Sequence, residues 1–155
     1  MDADLVLSLL RALNASGVRY KVVGGVALNL HGLPRATRDL DIFVAPDAEN
    51  VSRLRLALDS VFHDPEIAGI TEDDLAGAYP AVQYVPPTGF FHVDIVARLG
   101  DAWSYDDIEA SPVVVDGVSI PVATPTTLVR MKAGTVRPQD HADAARLRAR
   151  FGVKD

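Results

Sequence analysis

Two aspartates two residues apart, Asp39 and Asp41, stand in the stretch Arg35-Ala36-Thr37-Arg38-Asp39-Leu40-Asp41-Ile42-Phe43-Val44, shortly after Gly24-Gly25. On a strand, alternate residues share a face. The two carboxylates would then point to one side, while Leu40, Ile42 and Val44 point into a core. Paired carboxylates repel and raise each other's pKa, and a cation between them relieves the repulsion. Oxygen-only ligands suit hard ions such as Mg²⁺. The plain alternative is the solvent face of an edge strand, where Asp resists edge-to-edge pairing.

A third carboxylate extends the pattern. In Phe91-His92-Val93-Asp94-Ile95-Val96, a strand puts Asp94 on one face with His92 and Val96. If that strand lies beside the Asp39 strand, three carboxylates converge. Three can hold two Mg²⁺ ions about 4 Å apart, the arrangement of in-line phosphoryl displacement. One ion would grip a triphosphate, and the other would lower the pKa of an attacking hydroxyl. Gly24-Gly25 follow a strand, so the backbone there can pass close to phosphate oxygens, and the helix after them offers free N–H groups. Arg35, Arg38 and Lys132 are candidates to neutralise phosphate charge. Arg35 and Arg38 could equally pair with Asp39 and Asp41. His92 reads as a packed or hydrogen-bonded histidine, His31 as the close of a short helix at Gly32, and Asp106-Asp107 as a loop or cap.

Elements that position these residues follow from periodicity and punctuation. Leu5, Leu9 and Leu13 give a first helix over Asp4 to Asn14, ended by Gly17. Tyr20 to Val23 is a strand, Val26 to Leu30 a short helix, and Asp39 to Val44 a second strand. Asp47 caps a helix carrying Val51, Leu54, Leu58 and Val61. Thr71-Glu72-Asp73-Asp74 resembles a capping box. Val82 to Val85 and Phe90 to Ala97 flank Pro86-Pro87-Thr88-Gly89 as a hairpin. Val113 to Ile120 is a second hairpin turning at Asp116-Gly117. Thr124-Pro125 opens a helix through Lys132, and Pro138 opens the last, to about Arg150. The expectation is an α+β fold, one mixed β-sheet covered by helices, in a single domain over 1–155.

Composition agrees with a packed domain. The chain has 155 residues, 48% hydrophobic, with 21 acidic against 15 basic residues, net charge −6 and no cysteine. That excludes disulfides and thiolate metal sites and disfavours broad binding to nucleic acid. No apolar run is long enough to span a bilayer, and the acidic start Met1-Asp2-Ala3-Asp4 lacks the basic pattern of a secretory signal. A cytoplasmic protein with no membrane partner is expected. The end of the chain, with Arg130, Lys132, Arg137, Arg146, Arg148, Arg150 and Lys154, is locally basic and reads as a solvated helix face.

The glycine pair, Arg-x-Thr-x-Asp-x-Asp and a later strand Asp together resemble the DNA polymerase β-type nucleotidyltransferase superfamily. Within it, the chain is most similar to small bacterial members related to AbiEii-type toxin nucleotidyltransferases, through Leu128-Val129-Arg130-Met131-Lys132-Ala133 and then Arg137-Pro138-Gln139-Asp140-His141-Ala142-Asp143. The resemblance spans about Val22 to Leu147. It implies Mg²⁺-dependent transfer of a nucleoside monophosphate from an NTP to an acceptor, with release of pyrophosphate. By this resemblance Asp39, Asp41 and Asp94 are the metal-binding and catalytic carboxylates, and Asp94 helps activate the acceptor hydroxyl. Gly24 and Gly25 match the phosphate-binding turn, Lys132 the nucleotide-contacting lysine, and Asp140 the acidic residue of the last motif. An alternative for Asp140 is a first-turn charge complementing a helix dipole. Val26 stands where many members carry Ser or Thr after the glycines, and many carry a further domain for the acceptor. The acceptor, a tRNA, a protein side chain or a small hydroxylated molecule, would then lie across the open sheet face or between subunits. Partner candidates are an antitoxin or a second copy of the chain. The alternative function is a non-catalytic, antitoxin-like module that binds nucleotide or metal on the same fold.

Overall fold

The computed structural model describes residues 2–77, 80–87 and 91–154. Its elements are α1 (Ala3–Ala15), β1 (Tyr20–Val23), α2 (Gly24–Leu30), β2 (Asp39–Val44), α3 (Ala48–Phe62), α4 (Glu72–Ala76), β3 (Ala81–Tyr84), β4 (His92–Val96), β5 (Arg98–Leu99), β6 (Trp103–Ser104), β7 (Ala110–Val115), β8 (Val118–Ala123), α5 (Pro125–Ala133) and α6 (Pro138–Phe151). Six strands form one sheet in the order β3-β4-β2-β1-β8-β7, and β5 and β6 form a separate ribbon. The sheet is mixed: β2 runs parallel to β4 and antiparallel to β1, and β1 runs parallel to β8. The expected α+β architecture is the observed one.

Local chemistry fixes most boundaries. Asp2, Asp47, Thr71 and Thr124 each accept a hydrogen bond from a backbone N–H in the first turn of the helix they precede, satisfying donors that a helix leaves open. Asp116 and Gly117 both have positive φ, as the tight turn between β7 and β8 requires. Asp107 accepts from the Ser104 backbone and hydroxyl at 2.8 Å, so it is a cap, as its sequence position suggested. The hairpin of β3 and β4 forms with Tyr84 opposite Val93. Thr88, Gly89 and Phe90, part of its expected turn and second strand, lie outside the described residues.

Three features depart from the sequence reading. The short helix after β1 starts at Gly24, so the glycine pair is its first turn rather than a loop ahead of it. The β5–β6 ribbon and the 3-10 turn at Pro65–Gly69 carry too few residues for a periodic signal.

The core is continuous. Leu40, Ile42, Val93 and Ile95 are fully buried beside Leu9 and Leu13 of α1 and Leu54 and Leu58 of α3. β2 therefore cannot slip by one residue without driving its aspartates into this core. Phe43, on the aspartate side of β2, is also fully buried, so the open part of that face is confined to the Asp39 end. Among the described residues, no helix is long and apolar enough to cross a membrane.

Candidate active site

Register assembles the carboxylates. Asp41 lies opposite Asp94 on β4 and opposite Val23 on β1, and Asp39 lies opposite His92. A carboxylate oxygen from each of Asp39, Asp41 and Asp94 lies within 4.8 Å of the others. β2 is an interior strand with a neighbour on each side, which removes the edge-strand reading of its aspartates.

The cluster is electrostatically tense. Burial, a hydrogen bond with Asp94 and the charges of Asp94 and Asp39 push the Asp41 carboxyl from 3.8 up to about 7, with Lys132 pulling the other way. A divalent cation at three hard oxygen donors removes that repulsion. The donor set and its mutual repulsion both fit such an ion. Because ion and proton compete for Asp41, Mn²⁺ affinity should rise with pH, by up to about tenfold per unit, and level off above pH 7. Titration of the Mn²⁺ electron paramagnetic resonance signal between pH 5.5 and 8.5 checks this; a flat profile would show that Asp41 is not a ligand.

Gly24 makes the cluster sterically possible. Its φ is +70°, and a Cβ there would sit 2.0 Å from Asp41 Oδ2. Gly25 is less constrained: a Cβ there would lie 3.1 Å from the Thr37 Cβ, a tight contact that a small shift relieves. Thr37 in turn holds the entry to β2: its hydroxyl donates to the Asp39 carbonyl at 3.1 Å and accepts the Asp39 N–H at 3.3 Å. The Val26 side chain is buried in the hydrophobic core and does not line the cleft that holds the carboxylates.

The carboxylates line one wall of a cleft of about 630 Å³ whose other wall is Leu128, Met131, Lys132, Thr135, Arg137 and Asp140. Lys132, only 9% exposed, donates to Asp143 at 3.2 Å and lies 3.5 Å from Asp140. Asp140 also accepts from Thr135 at 2.8 Å and Arg137 at 2.9 Å. Burial pushes the Asp140 carboxyl up, but Thr135, Lys132 and Arg137 outweigh it and hold it below its ordinary value. Asp140 does occupy the first turn of α6, yet its side chain is committed to these donors.

Other candidates are placed differently. Arg35 turns from the cleft to Asp143, with Nε 3.2 Å from its carboxylate, and Arg38 is exposed with no ion pair among the described residues. Neither forms an ion pair with Asp39 or Asp41 among the described residues; Arg35 reaches Asp143 of α6 instead. His92 Nδ1 lies 3.4 Å from Asp39. His31 closes α2 and its Nε2 lies 2.8 Å from the Ala123 carbonyl. Two residues at the site were given no role from the sequence. Gln83 donates to Asp94 at 3.2 Å, and Asp143 is fully buried beneath Lys132. Asp143 was visible as part of a pattern; Gln83 carried no signal.

A family model for the nucleotidyl transferase AbiEii toxin of type IV toxin–antitoxin systems matches residues 8–155. The chain belongs to the AbiEii nucleotidyltransferase family. No curated protein matches it in sequence. Its fold resembles that of ANT(2″)-Ia, solved in complex with adenylyl-2″-tobramycin, with a TM-score of 0.53 at 14% identity over 93% of this chain and 85% of that one. It also resembles an antigenic nucleotidyltransferase-like protein from Paracoccidioides brasiliensis, with a TM-score of 0.56 at 20% identity over 92% of this chain and 72% of the other. At these identities the likeness establishes a shared fold. In the AbiEii chain that fold carries the carboxylate cluster across a cleft from Lys132.

Proposed function

We propose that this AbiEii family member transfers a nucleoside monophosphate from an NTP to a hydroxyl or phosphate of its acceptor, releasing pyrophosphate, and acts as the toxin of a toxin–antitoxin pair. The observation that carries the reading is the cluster of Asp39, Asp41 and Asp94 facing Lys132 across one cleft. Asp39, Asp41 and Asp94 would hold Mg²⁺, two ions in the full site, which supply charge neutralisation and a lowered hydroxyl pKa. Lys132 is the phosphate contact: two of its three ammonium protons face Asp140 and Asp143, leaving one donor for a phosphate oxygen. The first turn of α2, at Gly24 and Gly25, supplies backbone N–H groups beside the cluster. Asp94, which accepts from Gln83, would take the acceptor proton.

The acceptor class is open among tRNA, protein and small molecules, and the cytoplasm is where NTP and Mg²⁺ meet the enzyme. The test incubates the protein with Mg²⁺ and each α-labelled ribonucleoside triphosphate, with total RNA, soluble protein and hydroxylated antibiotics as acceptors. Label should move to one acceptor class with stoichiometric pyrophosphate release, and chelation should abolish it. Triphosphate binding without transfer to any acceptor would favour the non-catalytic module instead.

A further inference from the structure

Asp143 is fully buried and does not line the cleft, yet three elements converge on it. Its carboxylate accepts from Lys132 of α5 at 3.2 Å, from Arg35 of the loop before β2 at 3.2 Å, and from Gln139 of α6 at 3.0 Å. Burial alone would push this carboxyl up, but Gln139, Lys132 and Arg35 together hold it below its ordinary value, so it stays an anion between two cations. Arg35 ties the same junction into its own loop by donating to the Ala36 carbonyl at 2.8 Å. The loop is braced twice more. Asn29 bonds the backbone N–H and carbonyl of Arg35 at 2.7 and 2.9 Å, and Arg146 donates to the Pro34 carbonyl at 2.7 Å. This loop delivers Thr37 against Gly25 and leads directly into Asp39.

We infer that Asp143 is a positioning residue for nucleotide binding, which through one carboxylate sets both Lys132 on the cleft wall and, by way of Arg35, the loop that aligns the Gly24-Gly25 turn with the metal-binding aspartates. The role rests on the nucleotidyl transfer proposed above. It gives Arg35 work away from the nucleotide. In the wider cluster, Lys132, Arg35 and Arg137 share two carboxylates, Asp140 and Asp143. Of these three cations, Lys132 is the one that both touches Asp143 and lines the cleft, so its position governs what a triphosphate meets there.

The two halves of the junction can be separated. Asp143→Asn, Arg35→Met and the double variant are compared with the wild type by calorimetry with each of the four ribonucleoside triphosphates and Mg²⁺, and by Mn²⁺ binding without nucleotide. The inference predicts that Asp143→Asn weakens triphosphate binding about tenfold or more, the scale of one charge-assisted hydrogen bond, while Mn²⁺ affinity stays within about twofold because Asp39 and Asp41 are held by the register of β2 with β1 and β4 rather than by Asp143. Arg35→Met weakens triphosphate binding by a smaller factor, and the double variant is no weaker than Asp143→Asn, since both act through one junction. A merely structural role would move Mn²⁺ and triphosphate affinity together. Undiminished triphosphate affinity in either single variant, or additive effects in the double one, overturns the inference; should Asp143→Asn not fold, the Arg35→Met result decides alone. A wild type that binds none of the four triphosphates overturns the nucleotidyl transfer itself.

Discussion

Asp41→Asn should abolish nucleotidyl transfer and, at the same time, stabilise the metal-free protein at alkaline pH. The first effect follows from losing a carboxylate that faces two others within 4.8 Å. Ion-mediated charge stabilisation is worth several kcal/mol of barrier, so activity falls by about a thousandfold or more. The second effect has the opposite sign because the carboxyl is pushed up from 3.8 to about 7. A group whose folded pKa lies above its unfolded value holds its proton longer in the native state. Stability of the metal-free wild type therefore falls as pH rises from about 4 to 7 and stays lowered above that. The amide of Asn carries no charge, donates a hydrogen bond to Asp94 and escapes the penalty. Allowing for coupling within the cluster and its partial solvent access, the gain is on the order of 2 kcal/mol at pH 8, or about 4–8 °C in melting temperature. Thermal melts at pH 5 and pH 8 check it: the variant should exceed the wild type at pH 8, and the difference should shrink at pH 5. A variant less stable than the wild type at pH 8 would mean that Asp41 is a supporting ion-pair partner rather than part of a repelling cluster.

Gly24→Ala should be the most damaging small substitution outside the carboxylates. The new Cβ would lie 2.0 Å from Asp41 Oδ2, 2.9 Å from Cγ and 3.1 Å from Cβ. Rotating the end of the carboxylate cannot clear three contacts that reach back to Cβ. Either Asp41 leaves its partners or the start of α2 moves away from β2. A displacement of about 1 Å at a reacting centre costs roughly a hundredfold in rate. The φ of +70° adds about 1–2 kcal/mol of strain for any residue with a Cβ. Gly32→Ala provides the control. Its φ is +87° but nothing lies within 4 Å of the new Cβ, so it should show the strain in urea melts and keep activity within about twofold. Equal activity losses in the two variants would remove the steric argument for Gly24.

Much of this geometry was legible because it is local. Alternation in Asp39-Leu40-Asp41-Ile42 assigned the faces of β2 correctly, and Leu40 and Ile42 are fully buried. Asp47, Thr71 and Thr124 capped where their chemistry demanded. Asp116-Gly117 turned as its two positive φ values require. Alternation fixes a face but not a neighbour, so the meeting of Asp41 and Asp94 across 53 positions was a condition in the sequence that the sheet register fulfils. The same limit hid the partner of Arg35: its charge suggested nearby aspartates, while the chain direction carried it to Asp143 on α6. Gly24 and Gly25 were singled out for the approach of backbone to phosphate, whereas the constraint visible at Gly24 is clearance for the Asp41 carboxylate. Val26, which stands where many members carry Ser or Thr, is a core residue.

Nucleotidyl transfer in this fold requires that the three carboxylates be a metal centre. Crystals grown with Mn²⁺ and a non-hydrolysable triphosphate test this by anomalous diffraction at the manganese edge. A strong peak should be bound by the carboxylates of Asp39 and Asp41, with the triphosphate reaching Lys132, and should be lost in Asp41→Asn. A bound triphosphate with the manganese held elsewhere, or a peak unchanged in Asp41→Asn, would contradict it.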